Sequence, residues 1–196
     1  MDELVRRIRR EGRVLPGGLL KVDGFLNHRL EPALTLAMGR AFQARFAAAG
    51  ATRPGVVLTA ETSGIGPAFA TAVALDVPVV YARKTRPATL PGPVLEARAP
   101  SRTKGGTTPL IVSPELLPHG ARVLIIDDFL ARGHTIGALV ELIMAADAQL
   151  VGIGAVIEKS FEDGRARLAD LGVPVLALAV VEALHEADGR IEVRAG

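Results

Sequence analysis

Two adjacent carboxylates, Asp127 and Asp128, close a run of large apolar residues, Val123-Leu124-Ile125-Ile126, and are followed by the loop Ala131-Arg132-Gly133-His134-Thr135. The apolar run reads as a buried strand, and the residues from about His134 to Ala146 read as a helix. In an open α/β sheet, ligands gather outside the carboxyl ends of the strands. A loop that enters a helix adds unpaired N–H groups and the positive end of the helix dipole, which together suit a phosphate. Gly133 permits a tight turn and the Thr135 hydroxyl offers one more hydrogen bond. The expected chemistry is an anion held by residues 131–135, with Asp127 and Asp128 facing the sugar attached to it. A bare pair of acids would read as a solvated turn; the apolar strand before it and the glycine loop and helix after it argue for a site.

Other residues offer charge at matching places. Thr62-Ser63-Gly64-Ile65 follows a strand-like segment and opens a helix, which makes a second anion site by the same N–H logic. Arg83-Lys84 ends the next apolar segment, and Lys159 ends another. Lys104 precedes Gly105-Gly106 inside a proline-rich stretch. The lysines, Lys21, Lys84, Lys104 and Lys159, stand in a background of arginine, and lysine differs from arginine in being a compact, orientable point charge.

These groups need a frame. Asp2 to Glu11 reads as a short helix capped by Asp2 and stopped at Gly12. Leu19 to His28 reads as a strand then a loop, and Pro32 starts a helix that runs to about Ala49. Val56 to Ala60 and Val79 to Ala82 read as strands on either side of a helix from Ala68 to Leu75. After the strand at Val123 come a strand from Val151 to Ile157, a helix from Phe161 to Leu171, a strand from Val175 to Val181, and an edge strand in Glu186 to Arg194. Strands alternating with helices predict one α/β domain over residues 1–196 with a mostly parallel sheet. Residues 87–109 break the alternation with five prolines' worth of irregularity — Pro87, Pro91, Pro93, Pro100 and Pro109 — and are expected to be part β-hairpin and part flexible lid.

Composition narrows the function. The 196 residues are 49% hydrophobic and 22% charged, enough for one sizeable core. Cysteine is absent, which excludes disulfides, thiolate metal sites and thiol nucleophiles. His28, His119, His134 and His185 lack metal-ligand spacing, so no metal held by protein alone is expected. The net charge is only +2, its arginines are spread out, and aromatics are 4%, so no nucleic-acid partner is expected. The charged N-terminus carries no leader-like apolar run, and no stretch approaches a membrane span, so no membrane is expected and the default location is cytoplasmic.

The segment from Val123 to Thr135 resembles the phosphoribosyl pyrophosphate (PRPP) loop of the type I phosphoribosyltransferases. Leu20 to His28, Glu61 to Ala68, Val77 to Lys84 and Gly152 to Phe161 extend the likeness, in order, over nearly the whole chain; residues 87–109 match least. The resemblance implies the type I fold, with a small hood made by residues 1–35 and 182–196. It implies that Asp127 and Asp128 bind ribose hydroxyls and that Ala131, Arg132, Gly133, His134 and Thr135 hold the 5′-phosphate. It also implies pyrophosphate contacts from Thr62, Ser63, Gly64, Arg83, Lys84 and Lys104, with Mg²⁺ arriving on the phosphates and a homodimer as the assembly. For the base it implies Leu20, Asn27 and Lys159, with Lys159 donating to a 6-oxo oxygen; Phe129 either stacks on the base or joins the core.

One departure from the family pattern is Arg132, where Thr is common, so a hydroxyl contact there is lost. A second concerns Ala131: relatives that use hypoxanthine and guanine carry an acid at this position to move a proton. Xanthine is more acidic and needs less help, so the resemblance implies xanthine as the base. Guanine, hypoxanthine, adenine or orotate remain alternatives, as does a non-catalytic PRPP-sensing regulator that binds RNA.

Overall fold

The computed structural model describes residues 1–100 and 106–196. In chain order the elements are α1 (Asp2–Glu11), β1 (Arg13–Leu15), β2 (Leu19–Lys21), α2 (Pro32–Ala48), β3 (Val56–Ala60), α3 (Ile65–Leu75), β4 (Val79–Ala82), β5 (Leu95–Pro100), β6 (Thr107–Val112), β7 (Arg122–Leu130), α4 (His134–Ala145), β8 (Gln149–Lys159), α5 (Gly164–Arg167), β9 (Val175–Leu184) and β10 (Ile191–Ala195). Six strands form one sheet in the order β10-β9-β8-β7-β3-β4. All its neighbours are parallel except the β10–β9 pair.

The apolar run of β7 has a direct cause in this layering. Leu124 and Ile126 pack on one face with Leu4, Ile8, Phe42 and Phe46 from α1 and α2. Val123 and Ile125 pack on the other with Leu139 and Leu142 of α4 and Leu110 of β6. A parallel strand covered on both faces has no solvent side to make polar, so it reads as continuous hydrophobicity. Where the covering layers end, at Asp127, polar residues begin. The acids are thus placed at the carboxyl edge by the same layering that buries the strand.

Several local expectations shift. Asp2 is the first helical residue of α1, not its cap, so it serves the helix only as an acid in the first turn. The helix expected from Ala68 begins three residues earlier, at Ile65, because the turn after β3 is shorter than read. β2 is the strand expected at the start of Leu19 to His28, whereas β1 and the pairing went unread; three residues a side leave little periodicity to detect. No single helix spans Phe161 to Leu171. A turn, the four-residue α5 and a 3-10 turn at Ala169–Leu171 take its place. Arg165 is drawn to the buried Glu158, its Nε donating at 2.6 Å, and Gly164 is held against the loop after β7, so the segment is pinned at both points. The irregular stretch contains the expected antiparallel pairing, β5 with β6.

Candidate active site

Asp127 sits in the last covered turn of β7 and is only 5% exposed. Burial pushes its carboxyl well above the usual range; the neighbouring charge of Asp128 pushes the same way, while the Asp128 amide and Lys84 oppose it. The Asp128 N–H donates to Asp127 Oδ1 at 3.0 Å, and the Phe129 N–H donates to Asp128 Oδ1 at 3.0 Å. Each acid therefore has one oxygen fixed by backbone. Asn27 reaches across from the loop after β2 and donates to Asp128 Oδ2 at 3.3 Å.

The loop after β7 is built on a glycine contact. Gly133, the N-cap of α4, has φ 74°, a left-handed conformation. As cap, it leaves the amides of His134 and Thr135 without intrahelical acceptors. A Cβ at Gly133 would lie 3.2 Å from Gly164 Cα and carbonyl oxygen. Gly164 in turn donates to the Ala131 carbonyl at 2.9 Å, and a Cβ there would fall 2.2 Å from that oxygen. The segment after β8 is thus the floor of the loop after β7. Sequence reading missed Gly164 because it fell inside a stretch read as helix; a glycine there was the available signal.

Two cavities meet at the acids. One, of about 260 Å³, is lined by Asp127, Asp128, Phe129, residues 131–136, Leu19, Leu20 and Lys159. The other, of about 560 Å³, is lined by Glu61, Thr62, Ser63, Gly64, Lys84 and Thr85. Asp127, Asp128, Thr135 and Pro100 of β5 belong to both. Gly64 is where the turn after β3 presses on the acids: a Cβ there would fall 2.6 Å from Asp127 Oδ1 and 2.1 Å from Thr59 Oγ1. Glu61 ties the turn to the end of β4 by accepting from the Lys84 N–H at 2.6 Å. The Glu61–Thr62 peptide is cis.

Lys159, which lines the first cavity, is 3% exposed. It donates to the Gly18 carbonyl at 2.8 Å, lies 3.5 Å from Glu162 Oε1, and sits 5.9 Å from the centre of the Phe161 ring. A buried ammonium needs such partners. Phe129 is half-buried: it packs partly on the core and also lines the cavity.

Most residues singled out in the sequence therefore come together. Two do not line either cavity. Asn27 meets the site at Asp128. Arg83 is engaged in backbone pairing with Ile111, donating and accepting at 2.9 Å, and it is Lys84 that faces the cavity. Lys104 lies outside the described residues. Thr85, Glu61, Leu19 and Glu162 join the site without having been expected. No cluster of three or more His, Asp or Glu able to hold a metal occurs among the described residues. None of the described helices is long and apolar enough to cross a membrane.

Residues 29–171 match the model of the phosphoribosyl transferase domain. The chain belongs to the phosphoribosyltransferase family. The xanthine phosphoribosyltransferase of Deinococcus deserti is 53% identical over 196 residues, 100% of both chains. That of Geobacillus thermodenitrificans is 47% identical, covering 95% of this chain and 94% of its own. Among solved structures, the adenine phosphoribosyltransferase of Saccharomyces cerevisiae superposes with a TM-score of 0.71 at 23% identity, over 90% of this chain and 99% of that one. This phosphoribosyltransferase thus has the type I fold of its family. The domain match begins after β2, so Leu20 and Asn27 fall outside it, whereas the full-length relatives span them.

Proposed function

We propose that this phosphoribosyltransferase joins xanthine to the ribose 5-phosphate of PRPP, giving xanthosine 5′-monophosphate and pyrophosphate. The observation that carries the reading is Lys159: a buried ammonium lining the same cavity as the double acid and the glycine loop. An ammonium donates and cannot accept, so it suits the 6-oxo oxygen of an oxopurine and opposes the 6-amino group of adenine. Likeness in sequence is also far higher to the xanthine enzymes than to the adenine enzyme.

In the reaction the bond from the anomeric carbon to pyrophosphate breaks and a bond to the base nitrogen forms. The amides of residues 131–135 hold the 5′-phosphate. Asp127 and Asp128 accept from the ribose hydroxyls and stabilise the positive charge that develops on the ring. Thr62, Ser63, Gly64 and Lys84 receive pyrophosphate, with Lys104 and Arg83 as further cations. Mg²⁺ arriving with the phosphates would supply positive charge to balance the leaving group, in the space lined by Thr62, Ser63, Gly64 and Lys84. Leu20 and Phe129 flank the base, Lys159 fixes its oxo group, and Asn27 both steadies Asp128 and offers its carbonyl oxygen to a base N–H. The β5–β6 pair, whose Pro100 borders both cavities, acts within a lid of residues 87–109 that excludes water from the ribosyl cation. Residues 1–35 and 182–196 act as the hood over the base. Exposed Phe69, Val73 and Tyr81, on α3 and the edge strand β4, support a homodimer, and the cytoplasm is the working compartment.

A panel of labelled bases tests the assignment. Xanthine is expected to give the highest kcat/KM with PRPP; adenine or orotate as the best substrate would overturn it. The phosphate loop makes a separate prediction. Gly133→Ala is expected to cost about 1–3 kcal/mol of stability from its left-handed backbone and the crowding at Gly164, and to raise the KM for PRPP more than that for the base. Thermal unfolding and steady-state kinetics check both parts.

A further inference from the structure

We propose that Glu162 is a positioning residue for the base: it keeps Lys159 protonated and aimed into the cavity. This deepens the xanthine reading and rests on it.

The local chain builds the contact. At the end of β8 the Glu162 N–H donates to the Lys159 carbonyl at 3.1 Å, closing a tight turn that brings the Glu162 carboxylate back over the strand. The Ser160 N–H donates to the Val181 carbonyl at 3.0 Å and pins that turn to β9. Glu162 Oε1 then lies 3.5 Å from Lys159 Nζ, with side-chain exposures of 14% and 3%. Its second oxygen lies 3.4 Å from Arg132 Nε in the phosphate loop.

The two arms are unequal. Arg132 is 65% exposed, so its pairing is screened and weak. The Lys159 arm is buried, and there an opposite charge weighs on the protonation state of its partner. The other groups around Lys159 act differently. The Gly18 carbonyl accepts a hydrogen bond but carries no charge, and behind it Glu186 accepts from the Gly18 N–H at 2.8 Å. Asp127 and Asp128 of β7 and His134 of α4 border the same cavity, and in the reading proposed above they face the ribose and its phosphate. Glu158, the neighbouring acid on β8, is paired to Arg165. Glu162 is therefore a carboxylate that stays beside the ammonium in the loaded enzyme.

The test compares Glu162→Gln and Glu162→Asp with the parent enzyme in kcat/KM for xanthine against pH, at saturating PRPP and Mg²⁺. Removing the charge is expected to move the alkaline limb to lower pH by about one unit or more. The KM for PRPP is expected to change by about twofold at most, because the Arg132 arm is exposed. Glu162→Asp keeps the charge, so its alkaline limb stays near the parent's even if its rate falls. Ionisation of xanthine is common to all three profiles, so any difference belongs to the protein. An unmoved limb in Glu162→Gln overturns the proposal, whatever happens to the rate, and so does an equal shift in both variants. If Lys159→Ala uses xanthine as well as the parent does, it is the base-site reading that fails, which is a separate result.

Discussion

Asp127→Asn combined with Asp128→Asn is expected to lower kcat by at least about 10³-fold, since each carboxylate stabilises charge that develops only in the transition state. The fold should survive, and its stability should move in an unusual direction. Asp127 has its carboxyl raised by burial and by Asp128. A carboxyl whose folded pKa lies above its unfolded value adds stability below the unfolded value, and loses it as pH rises through the folded one. At neutral pH, above the unfolded value, the preference of this carboxyl for its neutral form therefore opposes folding of the ligand-free protein. Asparagine does not titrate, so the ligand-free double variant should melt no lower than the parent at pH 7.5, and its advantage should shrink toward pH 4. Melting curves across that range, with single-turnover rates, check both halves. Near-parent rates would remove the ribose role of the acids; a large fall in melting temperature would make them structural.

Lys159→Ala produces the second large effect. A hydrogen bond to a charged group contributes about 1.5–3 kcal/mol, which corresponds to roughly 10- to 150-fold. The loss is expected in kcat/KM for xanthine, with the KM for PRPP changed by less than about threefold, because the ammonium comes from the end of β8 and is not part of the phosphate loop. Adenine, whose amino group cannot accept from Lys159, should lose little. Steady-state kinetics with both bases separates these outcomes, and equal losses in base and PRPP use would count against a base contact.

How much of this was legible in the sequence depends on the range of the interaction. The strand at Val123 to Ile126, the acids and the loop after them were readable because one short segment carries the whole signal: apolar residues for two covering layers, then charge where the layers stop. Lys159 was readable as the end of a strand, though not as a buried residue, since burial is decided by the β1–β2 turn that supplies Gly18. The contact from Asn27 to Asp128 spans 101 positions and left no local trace. The segment after β8 misled for a related reason. Its helix-like pattern is real, but Glu158 and the Ala131 carbonyl capture Arg165 and Gly164 and break it into short turns. Arg83 and Lys84 looked equivalent as a basic pair; the Arg83 backbone is held by Ile111 while Lys84 falls in the bend after it, and of the two it is Lys84 that borders the cavity.

A crystal structure of the enzyme with xanthosine 5′-monophosphate bears most directly on the central claim. The account predicts the nucleotide phosphate on the amides of residues 131–135, the ribose hydroxyls on Asp127 and Asp128, and the 6-oxo oxygen on Lys159. A nucleotide bound with its phosphate elsewhere, or with the cavity at the carboxyl ends of β7 and β8 left empty, would contradict it.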